Sequence, residues 1–269
     1  MNFSRKNNFH LPTPTAFLVS IFQRVWFVWV IVVFSVTGLC ASLAYFVVFN
    51  LLSGRRAYNC TFFITRWWGR LLLGFSLVRV KTEGMNYLDK SKPYVLVSNH
   101  LSAMDIPVCT VSSPVPMSFL AKIEVDKIPF VGYLARNMHV YVDRKTNKGR
   151  LESARRMEKH LEEKGSIHIY VEGTRNRTDQ ILKRFYNGAF RLAIETQTPI
   201  AVLTMIGSEK IMTPKGSFRA SPAYVRAVWS KPIETKGMTL DNVGYLKSLV
   251  REQMLYHLES VETEQANIA

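Results

Sequence analysis

The chain has 269 residues, enough for one main domain and a small appendage with a core that needs no disulfide or metal. At 48% hydrophobic, 12% aromatic and 20% charged, it is not an intrinsically disordered chain, and it suits a globular body with a membrane attachment. The formal net charge of +15 draws such a chain to anionic lipid, acidic protein or nucleic acid, and charge alone does not choose among them.

From the N-terminus the first acidic residue is Glu83, so Arg5, Lys6, Arg24, Arg55, Arg56, Arg66, Arg70, Arg79 and Lys81 stand unopposed. Residues 25–52 carry no charge, a run of about 28 residues against the roughly 20 needed to cross a bilayer, and they read as a membrane helix. Ser42-Leu43-Ala44 could pass for a signal-peptide cleavage site, but the apolar run is too long and continues beyond it. After the Arg55-Arg56 break, residues 57–76 place Arg66 and Arg70 four apart on one helical face. That spacing predicts an amphipathic helix in the interface or the return arm of a helical hairpin. Basic residues on both sides of the first helix leave spanning and dipping both open. The Trp67-Trp68 pair between two arginines beside an apolar segment fits a bilayer interface better than a base-stacking platform, so lipid is favoured over nucleic acid.

Beyond residue 77 the pattern changes. Short apolar, β-branched runs at 78–82, 94–98, 117–121, 139–142, 167–171, 200–206 and 223–229 alternate with helical stretches near 104–112, 147–164, 187–197 and 239–260. This alternation predicts an α/β fold with a largely parallel sheet covered by helices, at 77–269, behind an N-terminal membrane-anchoring helical segment at 1–76. In such sheets ligands collect where strands end and helices begin. Cys40, Cys60 and Cys109 have no metal-ligand spacing and suggest no disulfide framework. His139 and His168 lie in strand-like runs without partners at zinc spacing and read as structural.

Two short motifs fall at strand ends. His100 and Asp105 sit five residues apart across a strand-to-helix turn, where a carboxylate can hold one imidazole nitrogen and leave the other free as a general base for acyl transfer to an alcohol. Taken alone, so short a pattern favours a plain loop histidine capped by an aspartate. Glu172-Gly173-Thr174-Arg175 follows the next likely strand end. Its glycine permits close backbone approach, and Arg175, Arg177 and the loop amides can hold a phosphate, although such a turn is also common on solvated surfaces.

In order and separation these blocks resemble the glycerolipid acyltransferase family that includes bacterial 1-acylglycerol-3-phosphate acyltransferases. Residues 99–105 resemble its NHxxxxD block, and 138–144 a second block, approximately GxxFIDR, with Met138 for the glycine. Residues 170–175 resemble FPEGTR with Val171 for the proline, and 198–202 a Pro-bearing apolar strand that lacks the second proline. Where the family has F-K-x-G this chain has Phe185-Tyr186-Asn187-Gly188, leaving Lys183 and Arg184 as neighbouring candidates for the missing charge. The match covers roughly 77–210, and the residues beyond resemble nothing usable.

The resemblance implies His100 as base and Asp105 as its partner, with Arg144, Glu172, Gly173, Thr174 and Arg175 binding the acceptor. It also implies no metal or cofactor, acyl-acyl-carrier-protein or acyl-coenzyme A as co-substrate, and an active site on the cytoplasmic face of a membrane. The expected reaction is acylation of the sn-2 hydroxyl of lysophosphatidic acid. The alternatives are the same chemistry on another lysolipid, such as a lyso-aminolipid, or a membrane lipid-binding protein that catalyses nothing.

Overall fold

A computed structural model describes residues 14–127, 131–143, 145–163, 165–212 and 218–266. The described residues form seven α-helices and seven strands, in the order α1 (Pro14–Leu51), α2 (Gly54–Phe75), β1 (Val78–Glu83), β2 (Val95–Ser98), α3 (Asp105–Ser112), β3 (Met117–Lys122), α4 (Val131–Met138), β4 (Val140–Val142), α5 (Asn147–Glu163), β5 (Ser166–Tyr170), α6 (Gly188–Glu195), β6 (Ile200–Ile206), β7 (Ala223–Trp229) and α7 (Val243–Ala266). All seven expected strands are present within one or two residues of their expected ends.

The strands form one sheet in the order β1-β7-β6-β2-β5-β3-β4. β6, β2, β5, β3 and β4 run parallel, whereas β7 is antiparallel to β6 and β1 parallel to β7, so one edge of the sheet is reversed. Every residue of the central β2 is buried, because helices cover both faces of a parallel sheet. The period of two divides its side chains. Leu96 joins a core with Leu72, Val108, Met205 and Trp229, while Val95 and Val97 join Phe190, Leu246 and Met254 on the other face.

α4 has no counterpart among the expected helices. It is two turns long, too short for a 3.6-residue period to repeat, and His139 closes it by donating its amide to Ala135 O (2.8 Å), so β4 starts one residue later than expected.

α1 begins eleven residues before the uncharged run, since an exposed Arg24 does not interrupt a helix, and its 38 residues extend about 57 Å at 1.5 Å each. It packs on α2 through paired polar groups: Trp68 Nε1 donates to Thr37 Oγ1 (3.1 Å), Tyr45 and Thr65 hydroxyls meet at 2.9 Å, and Trp29 Nε1 donates to Phe75 O (2.9 Å). It also touches the body at both ends. Near the start, Ala220 N donates to Gln23 O (3.0 Å), and near the end, Phe46 and Phe49 meet Tyr133. Between these ends Val28, Phe34, Val36 and Leu43 remain exposed, and only 17% of the most apolar window is buried. α2 approaches α3 closely at Gly69, where a Cβ would come within 3.1 Å of Val111 Cγ1.

The sheet positions the loop that follows β2 with one side chain. Asn99 is fully buried, and its amide mimics a continuing strand: Nδ2 donates to Met205 O (2.8 Å) and Oδ1 accepts from Met205 N (2.9 Å). Asn99→Ala would leave both buried backbone groups unpaired at about 1–3 kcal/mol each. A drop in thermal midpoint of the detergent-solubilised protein of several degrees is expected, with Asn99→Asp, which sets a buried carboxylate oxygen against Met205 O, falling at least as far.

Candidate active site

β2 ends at Ser98, and the chain turns through residues 99–104 into α3, whose first residue is Asp105. Asp105 is fully buried, and its Oδ2 accepts three N–H groups: Leu101 N (2.6 Å), Ser102 N (2.8 Å) and His100 Nδ1 (2.7 Å). The first turn of a helix favours a negative charge at that position. Because a carboxylate only accepts, the proton of the neutral imidazole lies on Nδ1, and Nε2 carries the free lone pair. Nε2 has no hydrogen-bond partner among the described residues, and the His100 side chain is 16% exposed.

β5, beside β2, ends two residues before Glu172, whose carboxylate is fully buried. Oε1 accepts from His100 N (3.0 Å) and Oε2 from Lys183 N (3.0 Å), so the acid binds two loops together through their backbones. Asn176 N in turn donates to His100 O (2.6 Å). Gly173, Thr174 and Arg175 are therefore held between two residues that both grip the His100 backbone. Gly173 has φ +71°, and a Cβ there would lie 2.9 Å from the Tyr186 ring, so its glycine answers both a left-handed turn and a close approach.

Thr174 is exposed and accepts Lys183 Nζ at its hydroxyl (2.7 Å) and carbonyl (3.3 Å), which brings the expected neighbouring cation to this loop. Arg175 is half-buried, and its guanidinium has no hydrogen-bond or ion-pair partner among the described residues. Arg144 lies outside the described residues. Among those described, no three His, Cys, Asp or Glu side chains converge to hold a metal ion, whereas Arg175 and Lys183 offer cationic donors to an anion.

A buried layer sits behind His100. His168 Nε2 lies 3.1 Å from Ser98 Oγ and 3.5 Å from Cys109 Sγ. Burial, and secondarily the charge of His100, holds His168 down to about 3, and burial holds His139 down to about 4, so both remain neutral structural histidines. Burial, reinforced by Asp105, pushes the Cys109 thiol far above its ordinary range and leaves it unreactive.

An acyltransferase family model matches residues 79–206, which span His100, Asp105 and the Glu172–Arg175 loop. This segment is an acyltransferase-family domain. The chain is similar to a 1-acyl-sn-glycerol-3-phosphate acyltransferase of Saccharomyces cerevisiae, 30% identical over 196 residues that cover 71% of this chain and 63% of the relative. It is similar also to the alpha form from Mus musculus, 27% identical over 70% of this chain and 66% of that one. The chain thus spans just under two thirds of the length of these relatives. The crystal structure of the 1-acyl-sn-glycerophosphate acyltransferase from Thermotoga maritima superposes with a TM-score of 0.73 at 22% identity, covering 91% of this chain and 97% of that one, and shares its fold.

The sequence marked Asn99 and Glu172 as block residues but did not show the structural roles they have at the candidate site, and it did not mark Arg251 at all. Asn99 and Glu172 act through partners more than 70 residues away, and Arg251 on α7 donates to Lys183 O (3.0 Å) and Leu182 O (3.3 Å), fixing the segment that Glu172 binds. A buried carboxylate flanked by two loop amides is a packing feature with no local spacing to reveal it.

The two acids respond differently to amidation. Asp105 Oδ1 is buried without a partner, so an Asn carbonyl can take the place of Oδ2 and the geometry survives without the charge. Both Glu172 oxygens accept N–H groups, so Gln faces one amide with another donor. Asp105→Asn should therefore lower turnover about 10²–10⁴-fold with little change in thermal midpoint. Glu172→Gln should lose about 1.5–3 kcal/mol of stability as well as activity. Thermal melts and initial rates of the two variants, measured side by side, check the contrast.

Proposed function

We propose that the protein is a membrane-bound 1-acyl-sn-glycerol-3-phosphate O-acyltransferase, acylating the sn-2 hydroxyl of lysophosphatidic acid from an acyl thioester in phospholipid biosynthesis. The observation that carries this reading is the 2.7 Å His100–Asp105 pair, with the His100 backbone held by Glu172 and Asn176 at the two ends of the Gly173–Arg175 loop. The relatives' activity on 1-acyl-sn-glycerol 3-phosphate supports the choice of acceptor.

In the proposed step, Nε2 takes the proton of the lysolipid hydroxyl as its oxygen bonds to the thioester carbonyl carbon. The amides of Thr174 and Arg175, which donate to no acceptor among the described residues, are the candidate donors to the oxyanion. The tetrahedral adduct then collapses, the C–S bond breaks, and the departing thiolate takes the proton from the imidazolium. Asp105 keeps the ring in one tautomer throughout and offsets its transient charge. No covalent acyl-enzyme is needed, and the buried Cys109 thiol is not positioned to form one. The proposed donor, an acyl-carrier-protein or coenzyme A thioester, is soluble, which supports a site on the cytoplasmic face.

The lysolipid, by contrast, resides in the bilayer. The exposed apolar surface of α1 and α2, with Phe63, Trp67 and Phe75 beside Arg70, supplies the membrane contact. Since α1 is tied to the body near both ends, the proposed arrangement embeds the helical pair alongside the domain, with the cleft at the lipid boundary.

Arg175 offers paired donors to the acceptor phosphate, with Lys183 beside it. One observation keeps a second acceptor in play: Tyr186, 67% exposed, packs on Gly173 where the resembled block carries lysine. Arg175→Ala should raise KM for lysophosphatidate by the roughly 1.5–3 kcal/mol of a charged hydrogen bond, with kcat falling less. Tyr186→Lys should lower that KM. Steady-state kinetics on lysophosphatidate and on an uncharged-headgroup lysolipid test both. Higher wild-type kcat/KM on the uncharged lipid, with KM for lysophosphatidate unmoved in Arg175→Ala, would transfer the assignment to the second acceptor.

A further inference from the structure

His100 has a neighbour that the proposed step does not use. Tyr170, the last residue of β5, lies over the imidazole with ring centroids 3.9 Å apart and planes 15° apart, a face-to-face stack. The phenol ring is fixed from other directions. His168 meets it nearly edge-on at 4.7 Å and 75°, Phe119 stacks at 6.3 Å, and its hydroxyl lies 3.9 Å from Cys109 Sγ. Its carbonyl accepts Gly173 N (3.0 Å), so the same residue starts the turn that carries the anion loop.

The geometry distinguishes the two protonation states of the base. Aromatic pairs gain least when stacked face to face, so a neutral imidazole gains little from this arrangement beyond excluded water. An imidazolium over the same electron-rich face gains a cation–π attraction, strongest where water is excluded. Only the protonated form, which exists during acyl transfer, gains the additional stabilisation, and that difference is what accelerates a reaction. The phenol remains neutral, since burial first, and then Cys109 and Asp105, push its hydroxyl well above the ordinary tyrosine range.

We infer that Tyr170 is a positioning residue for acyl transfer: its ring sets the plane of His100 against Asp105 and stabilises the imidazolium through its π face. This rests on His100 acting as the general base. The groups facing His100 are Asp105 and, deeper, Cys109 from α3, His168 behind the Tyr170 ring on β5, and Glu172 at the His100 amide. None of them changes in a series that alters only the Tyr170 ring.

The test replaces Tyr170 in the full chain with Phe and then with mono-, tri- and pentafluorinated Phe, which preserve ring shape while draining the π face. kcat is followed against pH in mixed micelles with lysophosphatidate and a long-chain acyl-coenzyme A. Tyr170→Phe should stay within about threefold of the parent, and the fluorinated rings should lower kcat stepwise to about tenfold, the scale of a desolvated cation–π contact, with KM unchanged. Because the free base is the active form, a less stable imidazolium must also move the acid limb of the profile to lower pH, which loss of packing alone would not do. Tyr170→Leu should lower kcat at least as far, and the fluorinated series decides the matter if that variant fails to fold. His100→Ala is run in parallel. If it retains turnover, the base assignment fails and the inference with it. If it loses turnover while the fluorinated series shows flat kcat and an unmoved acid limb, the role of Tyr170 alone is overturned.

Discussion

Asp105 brings a carboxylate into a fully buried place, and three N–H groups converge on one of its oxygens. Burying a charge costs several kcal/mol, and charge-assisted hydrogen bonds worth about 1.5–3 kcal/mol each can offset that cost only if the donors are held in place. Two of the donors are backbone amides of the turn itself, so the path of residues 100–102 is dictated by the acid they enclose. The third is the imidazole, which is thereby left with one tautomer and one open nitrogen. The geometry of the His100 imidazole is a consequence of how the chain solvates a buried charge at the start of a helix.

A second buried carboxylate extends this arrangement to the neighbouring strand. Glu172 joins the His100 amide to the Lys183 amide, and Asn176 returns to the His100 carbonyl. His100 and the loop with Thr174 and Arg175 are consequently tied together, although the sequence separates them by more than 70 residues. Parallel pairing of β2 with β5 makes this contact available, because both strands deliver their ends to the same edge of the sheet. The hairpin of α1 and α2 packs on the same body, with Val30 and Val33 of α1 and Leu72 and Leu73 of α2 in the core that holds Leu96.

Periodicity and composition revealed the fold to the extent that each element carried its own signal. The seven strands were visible because each is an apolar or β-branched run of ordinary length, and α5 and α7 because several turns repeat their pattern. α4 was not visible, since two turns repeat nothing. The reversal of β7 and β1 was also hidden, because strand direction depends on pairing that a single run does not encode. Of the site, His100 and Asp105 were legible, their five-residue spacing being local. The full burial of Glu172 was not: the sequence suggested contact with the acceptor, whereas both its oxygens are engaged by the protein's own amides. Asn99 and Tyr170 fall inside the resembled blocks and Arg251 beyond them, but the partners of all three depend on long-range packing that spacing does not encode.

The central claim is that His100 Nε2 takes the proton of the attacking hydroxyl. The most direct measurement is single-turnover acyl transfer from a thioester to saturating lysophosphatidate by the purified full chain and by His100→Ala, with folding of the variant verified by its thermal midpoint. General-base catalysis is worth about 10²–10⁴-fold, so the account predicts at least a hundredfold slower chemical step in a folded variant. A folded His100→Ala whose single-turnover rate stays within about threefold of the parent would contradict it, since removal of a base from the chemical step cannot cost so little.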